Sequence, residues 1–419
     1  MNSKICLNYS ISLESCTLDN ITALIKELLP LILEDIFGVI LLKFAEKYKN
    51  SEVTDKCNCS NNAQLKWAHK IGRKSIVKTQ WGDAKIPQLQ MQCTSCGQKK
   101  SMARPLLNMK PRTQVGENLK ETVALFTSLM PFRVCSKMLK FTGVNMSRTQ
   151  AWRCTQEVGE NLEFSLDDDA CKSGMADGTG IGIQGIKKRG RELKIFAQNK
   201  PNGKLHIAGV NIGKYESEDN WREIFEPLKE SFEAMGEFRL SIDGDCAILK
   251  AFDADIDLHI QRCLWHIPHQ FKHYLWMDNV TRKSPLWLKI MAQCLAFVSL
   301  PKTVIDDTEI IDTMLKQKEE AYEELVALLE ENDCSSCLSH IKNAYPNMFT
   351  NFSNQWQGKT TSLIERIMRT VNLRVNVGKW STKGVLNAMK IRLAYYYNGF
   401  NPQLKYGEIS AARLTLNDY

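Results

Sequence analysis

Three acidic residues have surroundings that suit a site for phosphoryl transfer. Asp243 ends the apolar stretch FRLSID, Asp177 lies within ADGTGI, and Glu365 lies within TTSLIERIM. Carboxylates brought together from separate elements need cations between them, and their oxygen atoms suit Mg²⁺ or Mn²⁺. Two such ions can activate the attacking oxygen and stabilise the leaving oxygen of a phosphodiester. The three acids therefore predict a metal-dependent site that acts on nucleic acid.

A five-stranded sheet is predicted to position these acids. The strand-like segments are residues 173–183, 191–200, 204–213, 238–243 and 258–267. The first three fit an antiparallel meander, and a helix separates the third from the fourth. This is the order of a ribonuclease-H-like sheet, in which the middle of the first strand lies beside the end of the fourth. Asp177 and Asp243 would then face one crevice at the sheet edge, and a helix carrying Glu365 would complete the site.

Two interpretations of the acidic stretch stay open at this point. Asp243 could cap the helix that follows it, a role that aspartate fills well. Asp245, two residues further along, could be the metal ligand in its place. The glycines at 180, 182 and 185 match GxGxxG, but a basic turn and another strand follow them, so they do not predict a dinucleotide site.

Two pairs of cysteines predict a zinc ribbon. Cys57 and Cys59 precede a predicted β-hairpin, and Cys93 and Cys96 form a CxxCG motif after it. Four thiolates complete a closed tetrahedral zinc site, which stabilises a module too small to have a large core. The C-x-C spacing of the first pair is tighter than usual, so His69 is an alternative ligand. Four unligated core cysteines are the other interpretation.

A helix-turn-helix unit is predicted after the ribbon. Its helices cover residues 132–141 and 148–160, with a turn at Gly143 and with Ser147 capping the second helix. The exposed positions of the second helix are predicted to be Arg148, Gln150, Arg153 and Gln156. Arginine and glutamine make bidentate contacts with guanine and adenine in the major groove. An ordinary helical hairpin with a solvated face is the alternative.

Composition favours a polyanionic partner and a reducing compartment. The 419 residues carry a net charge of +8, and the 14 cysteines follow no secretory leader, which favours thiols and metal sites over disulfides. The apolar run at residues 28–44 is interrupted by acids and too short to cross a bilayer. We therefore expect a cytoplasmic protein, associated with the nucleoid when bound to DNA. Basic residues predicted to contact phosphate are Lys187, Lys188, Arg189, Arg366, Arg369 and Arg374.

The predicted fold class is multidomain α+β. A zinc ribbon and a helix-turn-helix precede a ribonuclease-H-like α/β core, which an all-helical insertion interrupts. The predicted boundaries are an N-terminal helical segment (1–50), the zinc ribbon (51–101), a helical DNA-binding region (102–165), the first part of the core (166–275), the helical insertion (276–350), the C-terminal core helices (351–405) and a tail (406–419).

The chain resembles bacterial insertion-sequence transposases of the Mutator-like DDE group. The residues that carry this resemblance are the three acids, the segment QRCLWH and the segment SLIERIMRTVN…GKWST…RLAYYYN. The resemblance covers about residues 51 to 400. It implies cleavage of DNA at element ends followed by strand transfer, with Asp177, Asp243 and Glu365 as the metal-binding triad. It also implies that Cys263 and His266 shape the active site.

The resemblance further implies Mg²⁺ (or Mn²⁺) and Zn²⁺ as cofactors. The expected partners are double-stranded DNA, as terminal inverted repeats and target, and further copies of the chain, with no membrane. Cys263 and His266 could instead form a second zinc site with Cys334 and Cys337, which have the same spacing. A non-catalytic DNA-binding regulator derived from a transposase, or a nuclease on the same fold, are the alternative functions.

Overall fold

The chain divides into two compact units, with the boundary between Val158 and Gly159. The computed structural model describes residues 9–11, 17–49, 59, 65–67, 74–110, 112–186, 191–301, 305–356 and 362–402. Across these ranges the protein is mixed α+β. None of the helices in these ranges is long and apolar enough to cross a membrane.

The first unit begins with a long helix and two small sheets. Its elements are α1 (Leu18–Lys49), β1 (Leu65–Trp67), β2 (Ser75–Thr79), β3 (Gly82–Ile86), β4 (Gln90–Cys93), β5 (Lys99–Ser101) and α2 (Ala103–Leu106). Strands β1, β4 and β5 form one antiparallel sheet, and β2 and β3 form a separate hairpin. The β-hairpin predicted between the two cysteine pairs is therefore present, with Trp81 in its turn. Leu41 of α1 packs against Val77, Ala84 and Ile86, so the apolar run at 28–44 helps to form this core.

Three helices complete the first unit: α3 (Glu117–Leu129), α4 (Phe132–Phe141) and α5 (Arg148–Glu160). The predicted bounds of α4 and α5 are confirmed. Gly143 between them has a φ of 77°, a left-handed conformation that glycine adopts without steric cost. Ser147 Oγ accepts a hydrogen bond from the Gln150 amide, and Gln150 Oε1 accepts one from the Ser147 amide. This reciprocal pair is a capping box, which fixes the start of α5.

A five-stranded mixed sheet organises the second unit. Its strands are β6 (Ser173–Gly180), β7 (Glu192–Asn199), β8 (Leu205–Gly213), β9 (Glu237–Ile242) and β10 (Asp257–Arg262), in the order β10-β9-β6-β7-β8. Strands β6, β7 and β8 pair antiparallel, whereas β9 is parallel to both β6 and β10. All five predicted strands are present. The last one is shorter than predicted, because it ends at Arg262 and not at residue 267.

Three helices cover one face of this sheet: α6 (Glu218–Phe225), α7 (Lys229–Met235) and α8 (Cys246–Ala251). Their core contains Phe225, Phe232 and Phe238, and Ala176 of β6 belongs to it. Successive side chains of a strand point to opposite faces. Asp177 therefore points to the other face of the sheet.

Five helices follow β10 in the described residues, and the first of them begins at His266, earlier than the predicted boundary at residue 276. They are α9 (His266–Met277), α10 (Pro285–Val298), α11 (Thr308–Glu331), α12 (Ser335–Ala344) and α13 (Thr350–Ser353). They enclose a core of their own, which includes Phe271, Phe297 and Leu325. The chain then returns to the sheet, with α14 (Ser362–Val375) packed against β6 and α15 (Thr382–Tyr397) against β8.

Candidate active site

Strand register places the first two predicted acids at the same level. Ala176 of β6 pairs with Ile242 of β9 in a parallel register, and Asp177 and Asp243 are the next residues of the two strands. Glu365 lies in the first turn of α14, the helix packed against β6. All three carboxylates line one cleft of about 700 Å³ within the second unit. The structure therefore places the three predicted acids on the lining of one cleft.

The acids of this cleft repel one another's charge. Asp177 is buried, and burial is the main cause that raises the pKa of its carboxyl well above the ordinary value, with the charges of Asp243 and Glu365 adding to the effect. A positive charge on His266 opposes this increase. A cleft in which carboxylates are held against their mutual repulsion favours binding of a cation.

His266 lies closer to two of the acids than the sequence indicated. It is the first residue of α9, and its Nε2 atom is 3.2 Å from Glu365 Oε1. Ligand atoms of Asp177, His266 and Glu365 lie within 4.8 Å of one another. Burial lowers the pKa of His266, but the Cys263 side chain and the nearby acids outweigh it and raise the pKa to about 9. The imidazole is therefore positively charged near neutral pH.

Cys263 has an indirect place in the site. It is fully buried, does not line the cleft, and contacts the His266 side chain. Of the two residues expected to shape the active site, His266 therefore lines the cleft directly, whereas Cys263 contacts it only through His266. The strand has ended at Arg262 before either residue.

The helix cap after β9 belongs to Asp245, not to Asp243. Asp245 Oδ1 accepts a hydrogen bond of 2.9 Å from the Ala247 amide, and its Oδ2 accepts one of 3.1 Å from Trp221 Nε1. Asp243 Oδ1 accepts only the Asp245 amide among the hydrogen bonds of the described residues. Asp245 is therefore engaged in local structure, and Asp243 is the better candidate for a metal ligand.

Gly244, between these two acids, is required by the local packing. Its φ is 108°, and a Cβ atom there would lie 0.8 Å from Arg262 Nη1. The guanidinium of Arg262 therefore lies directly against the backbone that follows Asp243. Burial lowers the pKa of Arg262, and the Asp243 charge acts in the opposite direction.

Sequence reasoning missed two buried charged residues on β7. Lys194 is fully buried, pairs with Glu192, and lies 4.8 Å from the centre of the Trp221 ring. Glu192 lines the cleft, and burial is the main cause that raises the pKa of its carboxyl. The sequence did contain a signal for them, because Glu192 and Lys194 are charged residues two positions apart in a strand whose other residues are mostly apolar.

The predicted phosphate contacts have different outcomes. Arg366 and Arg369 are exposed on α14, as a phosphate contact requires. The prediction is wrong for Arg374, which is buried, donates to the Val377 carbonyl and stacks on Trp380. The predicted contacts Lys187, Lys188 and Arg189 lie outside the described residues.

Three of the four predicted zinc ligands meet in the first unit. Sulfur atoms of Cys59, Cys93 and Cys96 lie within 4.8 Å of one another, and the Cys59 and Cys93 sulfurs are 3.7 Å apart. Tetrahedral zinc with bonds of about 2.3 Å would separate two sulfurs by about 3.8 Å. Backbone amides of Cys96 and Ser95 lower the pKa of Cys93 to about 6, which favours the thiolate. The remaining predicted ligand, Cys57, and the alternative His69 lie outside the described residues.

One detail of the ribbon prediction differs from the structure, and so does the alternative second zinc site. Cys93 ends β4 and Cys96 lies in the turn before β5, so this pair is carried by the β4–β5 hairpin and not by the β2–β3 hairpin. The alternative of a second zinc site, formed by Cys263 and His266 with Cys334 and Cys337, is wrong. The Cys334 and Cys337 thiols are buried in the core of the helical insertion, where burial raises the pKa of Cys337, and no described metal-ligating cluster includes them.

The predicted DNA-reading positions on α5 divide into two groups. Arg148 and Arg153 are exposed. Gln150 is half-buried, and its side chain closes the capping box with Ser147. Gln156 is buried, so the prediction that it is exposed is wrong. The arginines are the residues of this helix that remain candidates for contact with DNA bases.

None of the known protein-family models matches the chain, and none of the curated proteins matches its sequence.

Proposed function

We propose that this chain is a DDE transposase with a ribonuclease-H-like core, which cleaves DNA at the ends of a mobile element and joins them to target DNA. The observation that carries the proposal is that one cleft is lined by Asp177 of β6, by Asp243 directly after the adjacent parallel strand β9, and by Glu365 of a late helix. Two-metal phosphoryl transfer uses carboxylate ligands that separate elements bring to one cleft.

The residues present fit divalent cations. Carboxylate oxygens of Asp177 and Glu365 lie together, Asp243 lines the same cleft, and oxygen is the ligand that Mg²⁺ or Mn²⁺ prefers. Bound there, the ions would neutralise charge on the attacking and leaving oxygens of a phosphodiester. His266 would hold Glu365 in position through the ion pair at 3.2 Å.

Exposed arginines and the candidate zinc site support DNA as the substrate. Arg366 and Arg369 are exposed on the helix that carries Glu365, where they can contact DNA phosphates. In the first unit, the Arg148 and Arg153 side chains are exposed on α5 and suit base edges in the major groove. A zinc ion held by Cys59, Cys93 and Cys96 with Cys57 would stabilise the small sheet that precedes these helices.

The test uses the purified chain, Mg²⁺, and plasmid DNA that carries the genomic segments flanking its coding sequence. We expect strand cleavage near those flanks and joining of the cleaved ends to a second plasmid. Asp177→Asn, Asp243→Asn and Glu365→Gln should each abolish both reactions while DNA binding persists. Asp253→Asn, which alters an exposed carboxylate, is the matched control and should leave both unchanged.

The same assay separates the alternative functions. Cleavage without joining would indicate a nuclease on this fold. Specific binding of the flanks without cleavage would indicate a DNA-binding regulator. Glu365→Gln cleaving at the wild-type rate would refute the three-acid site.

A further inference from the structure

The β2–β3 hairpin of the first unit ends beside the turn that joins α4 and α5. Gln80 and Trp81 form the tip of the hairpin, and β3 begins directly after them at Gly82. A Cβ atom placed on Gly143, in the α4–α5 turn, would lie 3.7 Å from the Gly82 Cα. The Asp83 amide also donates a hydrogen bond to the Gly143 carbonyl, at 3.4 Å. The tip of the hairpin and the α4–α5 turn are therefore in direct contact.

A buried lysine fixes this contact. Lys78 is only 6% exposed, and its Nζ atom donates to Asp83 Oδ2 at 3.0 Å and to the Asn145 carbonyl. Asp83 Oδ1 in turn accepts a hydrogen bond of 3.3 Å from the Asn145 amide. An ammonium group is costly to bury unless it is paired and hydrogen-bonded, and here one partner lies in the hairpin and the other in the turn. Lys78 therefore holds the hairpin tip in one position relative to the start of α5.

The strand that carries Lys78 is also tied to α3 and to the residues before it. The Lys78 amide donates to the Gln114 carbonyl at 2.6 Å, and the Lys78 carbonyl accepts from the Gly116 amide at 3.1 Å. At the tip, Gln80 Nε2 donates to Thr122 Oγ1 at 2.9 Å. The hairpin is thus attached to the helices at two places, so hairpin and helices form one body.

The surface of the helices beside the hairpin is basic. Residues 131–156 include five cationic side chains and no acidic one, and all five are exposed: Arg133, Lys137, Lys140, Arg148 and Arg153. Trp81 at the hairpin tip is 54% exposed. Clustered exposed cations suit a polyanion such as DNA. An exposed tryptophan adds apolar area and an N–H donor beside them.

The place of the hairpin tip relative to α5 determines what it would meet on DNA. In a helix-turn-helix unit, the first residues of the second helix contact base edges in the major groove. Asn145 precedes Arg148 by three residues, a span of at most about 10 Å. The major groove is about 12 Å wide, so a group held beside Asn145 reaches the edge of the groove. The sugar–phosphate backbone lies at that edge.

We propose that the hairpin tip is a second DNA-contacting element, in which Trp81 packs against the sugar–phosphate backbone at the edge of the major groove that α5 enters. The inference rests on the proposed function, because it takes α5 as the helix that meets element-end DNA. Contacts to the backbone set the position of a protein on the duplex, so the hairpin would fix the register of α5 in the groove. Lys78 is a positioning residue, which touches no DNA and acts through Asp83 and Asn145.

Footprinting with the full-length chain tests this contact on the genomic segments that flank its coding sequence, without Mg²⁺ so that the DNA stays intact. Hydroxyl radicals report protection of the sugar–phosphate backbone, and dimethyl sulfate reports protection of guanine in the major groove. Trp81→Ala should remove backbone protection at the edge of the α5 site and leave guanine protection in place. Affinity should fall about fivefold, as for the loss of one hydrogen bond. Its dependence on salt should not change, because a tryptophan contact releases no counterion.

Variants of the same unit separate the contact from folding. Lys78→Met keeps Trp81 but removes the link between hairpin and turn, so it should lose the same backbone protection. Arg148→Ala should show the reverse pattern, with guanine protection lost and backbone protection at the hairpin retained. Ile76→Ala removes another exposed apolar side chain of the hairpin, away from its tip, and should leave both footprints unchanged. Circular dichroism confirms that each variant is folded.

Backbone protection that Trp81→Ala leaves unchanged would overturn the proposal, and so would a wild-type chain that leaves no footprint on this DNA. Failure of the proposed function would appear separately, as wild-type protein that cleaves no DNA in Mg²⁺. Backbone protection that depends on Trp81 would support the hairpin contact even then.

Discussion

His340 should make the helical insertion sensitive to mild acid. Burial and the Arg262 charge lower its pKa from 6.5 to about 4, so the folded protein keeps the ring neutral over a range in which the unfolded chain binds a proton. A pKa shift changes stability by about 1.4 kcal/mol per unit. If His340 is protonated in the unfolded chain but neutral in the folded protein, the free energy of unfolding therefore falls by about 3 kcal/mol. None of this loss occurs above pH 6.5, and it is complete below about pH 4.

Denaturant unfolding at pH 8 and pH 5, followed by circular dichroism, measures this effect. Between these pH values His340 should account for a loss of about 2 kcal/mol in the free energy of unfolding. His340→Leu should lack this part of the pH dependence. Asn343→Leu changes the same helix without removing a titratable group and should retain it. Equal pH dependence in wild type and His340→Leu would refute the reasoning.

Three further predictions concern the other sites. Cys93→Ser should remove the metal bound near β4, measured as zinc per chain by elemental analysis, and should unfold the small sheet; wild-type protein without zinc would contradict this. Arg148→Ala and Arg153→Ala should weaken binding to element-end DNA in a footprinting assay without changing cleavage of bound DNA, and unaltered footprints would argue against base contacts. Asp245→Asn should retain cleavage, since asparagine also caps helices, whereas cleavage lost as in Asp243→Asn would assign Asp245 to the metal.

The strands of the second unit could be predicted because their signals are local. Apolar residues indicated strands β7 and β8, and the segment Pro201-Asn202-Gly203 between them is typical of a turn, in which Gly203 adopts a left-handed φ of 74°. The predicted strand order then placed Asp177 and Asp243 beside each other at the same height in the sheet. The bounds of helices α4 and α5 were equally predictable, because Gly143 forms the turn between them and Ser147 caps the start of α5.

Other features depend on contacts that periodicity does not encode. The apolar run LHIQRCLWHI fits a strand throughout, so the helix start at His266, and with it the ion pair to Glu365, could not be predicted. The roles of Asp243 and Asp245 were separated by the backbone turn at Gly244 and by the Trp221 indole. The polar face of α12 has the pattern of a solvated helix, and only the fold shows that it lines a cleft.

The order in which the acids occur along the chain affects when activity can arise during synthesis. Asp177 lies on β6 and Asp243 directly follows β9, whereas Glu365 and its helix α14 follow the whole helical insertion. Contacts between residues so distant in sequence form late, because closing a long loop costs entropy before any contact compensates for it. A nascent chain that has not yet produced α14 would carry the sheet and no complete set of metal ligands. Under the proposed function, chains released before α14 is synthesised would lack Glu365 and would therefore not cleave DNA.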